Sequence, residues 1–258
     1  MRRLLALSAL LLLGACGGHP TSTPAPLPSA TSVPLPALRA CYQLTYDEAI
    51  APATRTEPVP CAQAHTSQTY AVGRLSDLAD GHLLAATSTQ VQHQVSTVCP
   101  KRIAKFAGGT TDQLRLSMLK PVWFTPTAAD AEKGADWYRC DVVVLAGASQ
   151  LSPVTGTLKN ALASGDAWSM CGTAEPGKPG FARVPCGQPH TWKALSLVPL
   201  PAGAYPGEPA VKAAGQATCK KAGQNVAKDA LKYQWGYEWP TSEQWATGQT
   251  YGVCWAPA

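Results

Sequence analysis

Two stretches of this sequence are nearly identical: Val59–Thr66 reads VPCAQAHT and Val184–Thr191 reads VPCGQPHT. A second match lies further along, because Pro126 and Pro240 are each followed by a glycine eight residues later and a cysteine fourteen residues later. Shared composition alone does not reproduce such offsets. The sequence therefore predicts two tandem copies of one domain, separated by the stretch between residues 148 and 163.

The cysteines support this division, because eight of the nine fall into two sets of four. The sets are Cys41, Cys61, Cys99 and Cys140 in the first copy, and Cys171, Cys186, Cys219 and Cys254 in the second. In an exported chain, four cysteines per copy indicate two disulfides per copy. Four cysteines allow three pairings, and the sequence does not choose among them. The turn residues midway between Cys171 and Cys186 favour first with second and third with fourth.

Hydrophobic patterning predicts an α+β fold: two tandem disulfide-stapled domains, each a small antiparallel sheet with one main helix. In the second copy, Phe181–Val198 is typical of a strand and Pro209–Gly223 of a helix. Leu231–Trp239 alternates with a period of two, which indicates a further strand. Thr241, with Gln244 three residues later, forms a capping-box pattern before a short helical turn.

The first copy, over residues 41–150, carries the same pattern more weakly than the second, over residues 160–258. An apolar stripe in Val91–Cys99 predicts its helix, which we expect to end or kink at Pro100 because a helix interior disfavours proline. Alternation in Leu114–Met118 predicts the strand that follows. Each copy is thus expected to contain two strands, a helix and two more strands.

The N-terminus is typical of a signal peptide over residues 1–15. Arg2 and Arg3 precede an apolar run that ends in Leu13–Cys16, LGAC, which resembles the lipobox of bacterial lipoproteins. We expect cleavage before Cys16 and acylation of its thiol, with palmitate among the acyl groups, which would hold the protein at the outer face of the cell membrane. The alternative is an ordinary cleaved signal. Residues 16–40 are rich in proline and small polar residues and are typical of an extended, lipid-anchored linker.

The charge balance limits the class of partner. The formal net charge is +5, and two of the positive charges lie in the signal peptide, which excludes a strongly basic nucleic-acid-binding protein. No later apolar run approaches the length of a bilayer span, which excludes a multi-span membrane protein. The expected partners are the membrane, through the lipid on Cys16, and an envelope protein or a cell-wall glycan.

The second copy combines its four cysteines with a Pro-His190 pair and a Pro/Trp/Gly segment around Trp245, in that order along the chain. In this combination it resembles the septum formation domain, a family of exported and often lipid-anchored actinobacterial proteins. The first copy departs from the pattern at Ala64, which replaces the proline, and at Ala131, which stands at the Trp245 position. The resemblance implies an envelope location and a cysteine-stapled α+β fold, and it implies no particular reaction.

Two histidines, His65 and His190, are candidate contact residues, because both copies place a histidine four residues after a cysteine. Such a Cys-x-x-x-His pair could ligate zinc, but disulfide-bonded cysteines favour a histidine that hydrogen-bonds nearby backbone. No metal and no cofactor are predicted. The sequence contains no Gly-x-Ser-x-Gly, His-Glu-x-x-His or phosphate-loop motif, so we assign no catalytic residue and predict no enzyme.

Aromatic residues concentrate near the C-terminus, where Trp235, Trp239 and Trp245 are further candidate binding residues. Core packing is the ordinary role of such residues, and an exposed face for a protein or a glycan is the alternative. We predict an exported, membrane-anchored and non-catalytic interaction or sensing module at the cell envelope, linked to septum or cell-wall processes. One alternative is a glycan or small-molecule binding protein that uses the cleft between the copies, and another is an envelope hydrolase.

Overall fold

The computed structural model of the protein describes residues 33–76, 78–79, 82–229 and 231–258. The predicted signal peptide, the lipid-bearing Cys16 and most of the predicted linker lie outside these residues. Among the helices that are described, none combines the length and the apolar character that crossing a bilayer requires.

The first copy builds a sheet whose strands are separated by short helices and one long helix. In chain order its elements are β1 (Cys41–Tyr42), α1 (Tyr46–Ile50), β2 (Pro58–Val59), β3 (Ser67–Arg74), β4 (Leu78–Ala79), β5 (His82–Leu83), α2 (Thr89–Ala107), α3 (Thr111–Arg115), β6 (Leu119–Phe124), α4 (Ala128–Ala131) and β7 (Trp137–Val144).

The second copy repeats this arrangement with shorter connections. Its elements are β8 (Met170–Gly172), β9 (Arg183–Pro185), β10 (Trp192–Pro199), α5 (Glu208–Ala214), α6 (Gln216–Val226), β11 (Gly236–Glu238), α7 (Ser242–Ala246) and β12 (Tyr251–Pro257).

The two sheets share one topology. The strand order is β2-β1-β3-β7-β6 in the first copy and β9-β8-β10-β12-β11 in the second, and every neighbouring pair is antiparallel. Both β3 and β10 carry a register shift at the same place, next to Cys140 in β7 and Cys254 in β12. The predicted α+β fold of two tandem domains is confirmed, although each sheet has five strands rather than the four that we expected.

Four disulfides join equivalent positions in the two copies. The pairs are Cys41–Cys61, Cys99–Cys140, Cys171–Cys186 and Cys219–Cys254. The first disulfide of each copy ties the first strand to the turn before the central strand, and the second ties the long helical segment to the sheet. This is the first-with-second and third-with-fourth scheme that the turn between Cys171 and Cys186 favoured.

The long helix of the first copy continues through Pro100 and ends only at Ala107, so the expectation that it ends at Pro100 is wrong. Its buried residues recur every four positions, at Val91, Val95, Cys99, Ile103 and Ala107, and they pack on the sheet. A proline in a helix costs about 3 kcal/mol, and the packing of this face together with the disulfide at Cys99 offsets that cost. The helix ends where Gly108 adopts a left-handed conformation with φ of 74°.

The corresponding segment of the second copy is two helices rather than the single helix predicted for Pro209–Gly223. They meet at Gly215, against which the ring of Tyr237 packs so closely that a Cβ there would overlap it. The Tyr237 hydroxyl donates to the carbonyl of Val211, 3.0 Å away. A strand residue therefore decides where the helix is interrupted, which helical periodicity cannot show.

Three predicted strands are shorter or different in the structure. Only Gly236–Glu238 of the segment 231–239 is a strand, and Leu231 is 92% exposed. The segment 181–198 divides into β9 and β10, because the residues from Cys186 onward form the turn between them. The alternation over 114–118 was misleading, since Thr110 caps helix α3 there through a capping box with Gln113. The capping box of Thr241 and Gln244 is confirmed at the start of α7.

The two copies form one compact unit with a shared core. A single cluster of buried apolar side chains includes Leu119 and Val144 from the first copy and Met170, Trp192 and Val253 from the second. The helix-covered face of the second sheet has a separate cluster around Val198, Cys219 and Cys254, and the first sheet covers its other face with α1. The position of one copy against the other is thus fixed by burial of apolar surface.

Candidate ligand-binding cleft between the repeats

The two copies are joined by backbone hydrogen bonds next to the shared core. The amide of Met118 donates to the carbonyl of Trp168 at 2.9 Å, and the amide of Met170 donates to the carbonyl of Leu116 at 2.8 Å. These bonds surround an antiparallel bridge between Ser117 and Ser169. The bridge holds edge strand β6 of the first sheet beside β8 of the second, with a cleft between the copies.

This cleft has a volume of about 450 Å³, within the size range of small-molecule sites. Its walls come from both copies. The first copy contributes Pro100, Thr111, Leu114, Arg115, Leu119, Lys120 and Pro121. The second copy contributes Met170, Arg183, Thr247, Gly248, Gln249, Tyr251 and Val253. Neither copy alone could form it, because each supplies one wall.

The charged residues in this lining are all cationic: Arg115, Lys120 and Arg183. Arg183 pairs with Glu238, its Nη2 lying 2.7 Å from the carboxylate. Arg115 lies 3.3 Å from Asp112, and its guanidinium stacks on the ring of Tyr251 at 4.7 Å from the ring centroid. Neither of these two carboxylates lines the cleft, so the lining itself carries an excess of positive charge.

Lys120 differs from the two arginines, because no carboxylate within the described ranges lies at ion-pair distance from it. Its Nζ donates to the carbonyl of Ser117 at 3.1 Å. Burial, together with the smaller effect of the positive charge of Arg183, lowers the pKa of Lys120 from its ordinary 10.5 to about 8. Burial also raises the pKa of the neighbouring Tyr251, against the effect of Arg115. An ammonium that is partly buried without a counter-ion is the most unusual polar group of the cleft.

Reasoning from the sequence missed these residues, since Arg115, Lys120 and Arg183 belong to different elements and no motif joins them. One signal was present in the sequence. Lys120 is the single charged residue in the apolar stretch from Met118 to Phe124, MLKPVWF, which becomes an edge strand. An isolated lysine in such a stretch marks a site where charge is tolerated at a cost.

The two candidate histidines do not meet each other or the cleft. Nδ1 of His65 lies 2.9 Å from the carbonyl of Gln63, and Nδ1 of His190 lies 2.8 Å from the carbonyl of Gln188. A carbonyl only accepts, so each Nδ1 is the protonated nitrogen of its ring. Both imidazoles therefore stabilise the turn that follows the disulfide cysteine by hydrogen-bonding nearby backbone.

The two histidines also differ in how much of each side chain is buried. His65 is completely buried, and its backbone pairs in both directions with Val154 in the segment that links the copies. It has no exposed surface with which to contact a partner, whereas His190 is half-buried. A Cys-His zinc site at these histidines does not fit either, because a cysteine binds zinc as a thiolate and both Cys61 and Cys186 are in disulfides.

The three candidate tryptophans lie together in the second copy, and two of them serve mainly its core. Trp245 is 7% exposed, and its indole N–H donates to the carbonyl of Gly203. Trp235 is half-buried and packs against Gly223. Trp239 borders a small groove of about 290 Å³, and the Nζ of Lys212 lies 4.9 Å from the centroid of its ring. Trp239 is therefore the best placed of the three to meet a partner.

Comparison with known proteins supports the likeness noted in the sequence. The model of the family described as septum formation matches the chain twice, over residues 10–130 and 122–254.

The chain belongs to the septum formation family.

The family model thus matches twice, as the structure has two sheets of one topology, and the family's description points to a role in cell division or at the envelope. A search of curated proteins and a search of solved structures each find no match.

Proposed function

We propose that this member of the septum formation family is a non-catalytic binding module at the outer face of the cell membrane, with its ligand in the cleft between the repeats. The observation that carries the proposal is the composition of the cleft, whose walls come from both copies. The shared core behind it gives a preformed site, and ligands favour sites that need little rearrangement.

The location at the membrane is a separate part of the proposal. It is supported by the lipobox pattern at Leu13–Cys16 and by four disulfides, which persist in oxidising compartments. Fractionation of cells that express the full chain tests it. We expect the protein in the membrane fraction and the Cys16→Ser variant to lose that association, and an unchanged distribution would remove the lipid anchor from the proposal.

Blocking the cleft tests the binding function. Thr111 is exposed at the first position of α3 and lines the cleft, so Thr111→Trp places a large ring in the entrance. Thr89→Trp makes the same change at the first position of α2, away from the cleft, and serves as the matched control. We expect the full-length oxidised protein to bind soluble cell-wall fragments, and Thr111→Trp alone to weaken that binding at least about tenfold. Equal binding by both variants would refute the proposed site.

A second candidate function is contact with an envelope protein through the groove beside Trp239. The groove is lined by Pro176, Gly177, Phe181, Tyr237, Glu238 and Trp239, a set rich in the residues that dominate protein interfaces. Crosslinking in intact cells would test it with Trp239→Ala, and Trp123→Ala, which removes a half-buried tryptophan from the first copy, serves as the control. A protein captured by wild type and control but lost with Trp239→Ala would support this second function.

A further inference from the structure

We propose that the cleft between the repeats recognises an anionic group, a carboxylate or a phosphate on a small ligand, and that Lys120 is its main contact. This inference rests on the proposed function, because it names the ligand class of the same cleft.

The charges favour an anion because no carboxylate is among the residues that line the cleft. The other charged or titratable side chains in the lining are Arg183 from β9, Arg115 from α3 and the phenol of Tyr251 from β12, and the charge of Arg183 acts on Lys120. Two of these are cations, and the phenol, whose ordinary pKa is 10.0 and is raised by burial, is neutral at physiological pH. Nothing in the lining therefore compensates the ammonium, and a bound anion would do so.

The hydrogen bonding of Lys120 leaves donors for a ligand. An ammonium has three N–H donors, and one of them is used by the carbonyl of Ser117. The remaining donors have no carboxylate acceptor within the part of the chain that the structure describes. Charge-assisted hydrogen bonds to an oxyanion are stronger than neutral ones, so this is where the ligand's charge would be held.

The rest of the lining suits the body of such a ligand. Leu114, Pro121, Met170 and Val253 supply apolar surface around the cationic centre. Small-molecule sites typically combine such apolar walls with a few convergent polar groups that fix orientation. A sugar acid or a sugar phosphate of monosaccharide size has both parts, and free inorganic phosphate has only the charged one.

A bound anion would also change the protonation of Lys120. Because burial and Arg183 hold the pKa of this amine near 8, a substantial fraction is neutral at that pH in the free protein. An anion favours the ammonium form and raises the pKa, so binding at pH 8 takes up part of a proton. Calorimetry at pH 8 in buffers of different ionisation enthalpy measures this uptake.

The decisive experiment is titration calorimetry on the full-length oxidised protein in detergent. The probes are N-acetylmuramic acid, which carries a carboxylate, its neutral relative N-acetylglucosamine, glycerol 3-phosphate and inorganic phosphate. The variants are Lys120→Met, Lys120→Arg and the control Lys193→Met, which removes a half-buried strand lysine outside the cleft. We expect Lys120→Met to weaken binding of the anionic probes about 10- to 100-fold, with little change for Lys193→Met.

The same titrations distinguish a carboxylate ligand from a phosphate ligand. They also distinguish failure of the anion inference from failure of the proposed function. Preference for the sugar acid identifies a carboxylate ligand, and preference for glycerol 3-phosphate identifies a phosphate ligand. Lys120→Arg should still bind the anionic probes, but its binding should take up no proton, because arginine stays protonated in the free protein. The anion inference falls if the neutral sugar binds as well as the acid, or if Lys120→Met binds anions like wild type. If the anion inference fails but Thr111→Trp still weakens binding of wall fragments, the proposed function of the cleft stands. If Thr111→Trp has no effect either, the anion inference and the proposed function both fail.

Discussion

Removal of the Lys120 charge should stabilise the protein at neutral pH, which is the opposite of what most core substitutions do. The amine has a pKa of about 8 in the folded protein and an ordinary value of 10.5. The folded state therefore holds this proton less tightly than the unfolded chain, and below pH 8 the charge lowers the free energy of unfolding. That cost shrinks as the pH rises above 8 and is lost above 10.5, where the amine is neutral in both states.

The size of the effect follows from the same difference. Each unit of pKa corresponds to about 1.4 kcal/mol, and because Lys120 is only partly buried we discount the full difference to about 2–3 kcal/mol. Replacement by methionine keeps the length of the side chain but leaves the Ser117 carbonyl without its donor, which costs about 1 kcal/mol. We therefore expect Lys120→Met to gain about 1–2 kcal/mol at pH 7, which raises Tm by about 2–8 °C in a chain of this size.

Thermal and urea unfolding with the disulfides intact measure this gain at pH 7 and pH 9.5. The gain in the free energy of unfolding should be larger at pH 7 than at pH 9.5, where Lys120 is mostly neutral in the folded wild-type protein. Lys193→Met is the control, because Lys193 lies 2.7 Å from the exposed Asp166 and its loss should cost at most about 1 kcal/mol. A Lys120→Met protein that is less stable than wild type at pH 7, or a gain that is the same at both pH values, would refute the reasoning.

Three further predictions follow from the fold. Gly215→Ala should lower the free energy of unfolding by about 1–3 kcal/mol, because the new Cβ overlaps the Tyr237 ring. Denaturant unfolding measures the loss, and the control Ala213→Gly, at an exposed helix position, is expected to cost about 1 kcal/mol or less. Replacing both Cys99 and Cys140 by serine should cost about 2–5 kcal/mol, and peptide mapping of the oxidised wild type should recover this pair together with the other three. His65→Ala should lower the stability by about 2–4 kcal/mol and His190→Ala by clearly less, since only the first imidazole is completely buried; similar losses in thermal unfolding would contradict the difference in burial.

Local signals predicted the parts of this protein that depend on a few neighbouring residues. The Thr241 capping box is one example, because a cap needs only the hydroxyl and a glutamine three residues on. The turn that brings Cys171 opposite Cys186 is another, since short loops close at low entropic cost. Local signals failed where packing outweighed propensity: α2 continues through Pro100, and the long helical segment of the second copy is interrupted where Tyr237 packs on Gly215.

The sequence by itself determined the duplication, the α+β class and the disulfide-stapled character of each copy. These follow from repeated motifs, cysteine spacing and hydrophobic periodicity, all of which are written along the chain. Only the tertiary structure decided how the copies pack, and with it the cleft that brings Lys120 of one copy beside Arg183 of the other. The physical reason is that this packing is set by burial of apolar surface from both sheets in one core, and no local pattern encodes which side chains then meet at its edge.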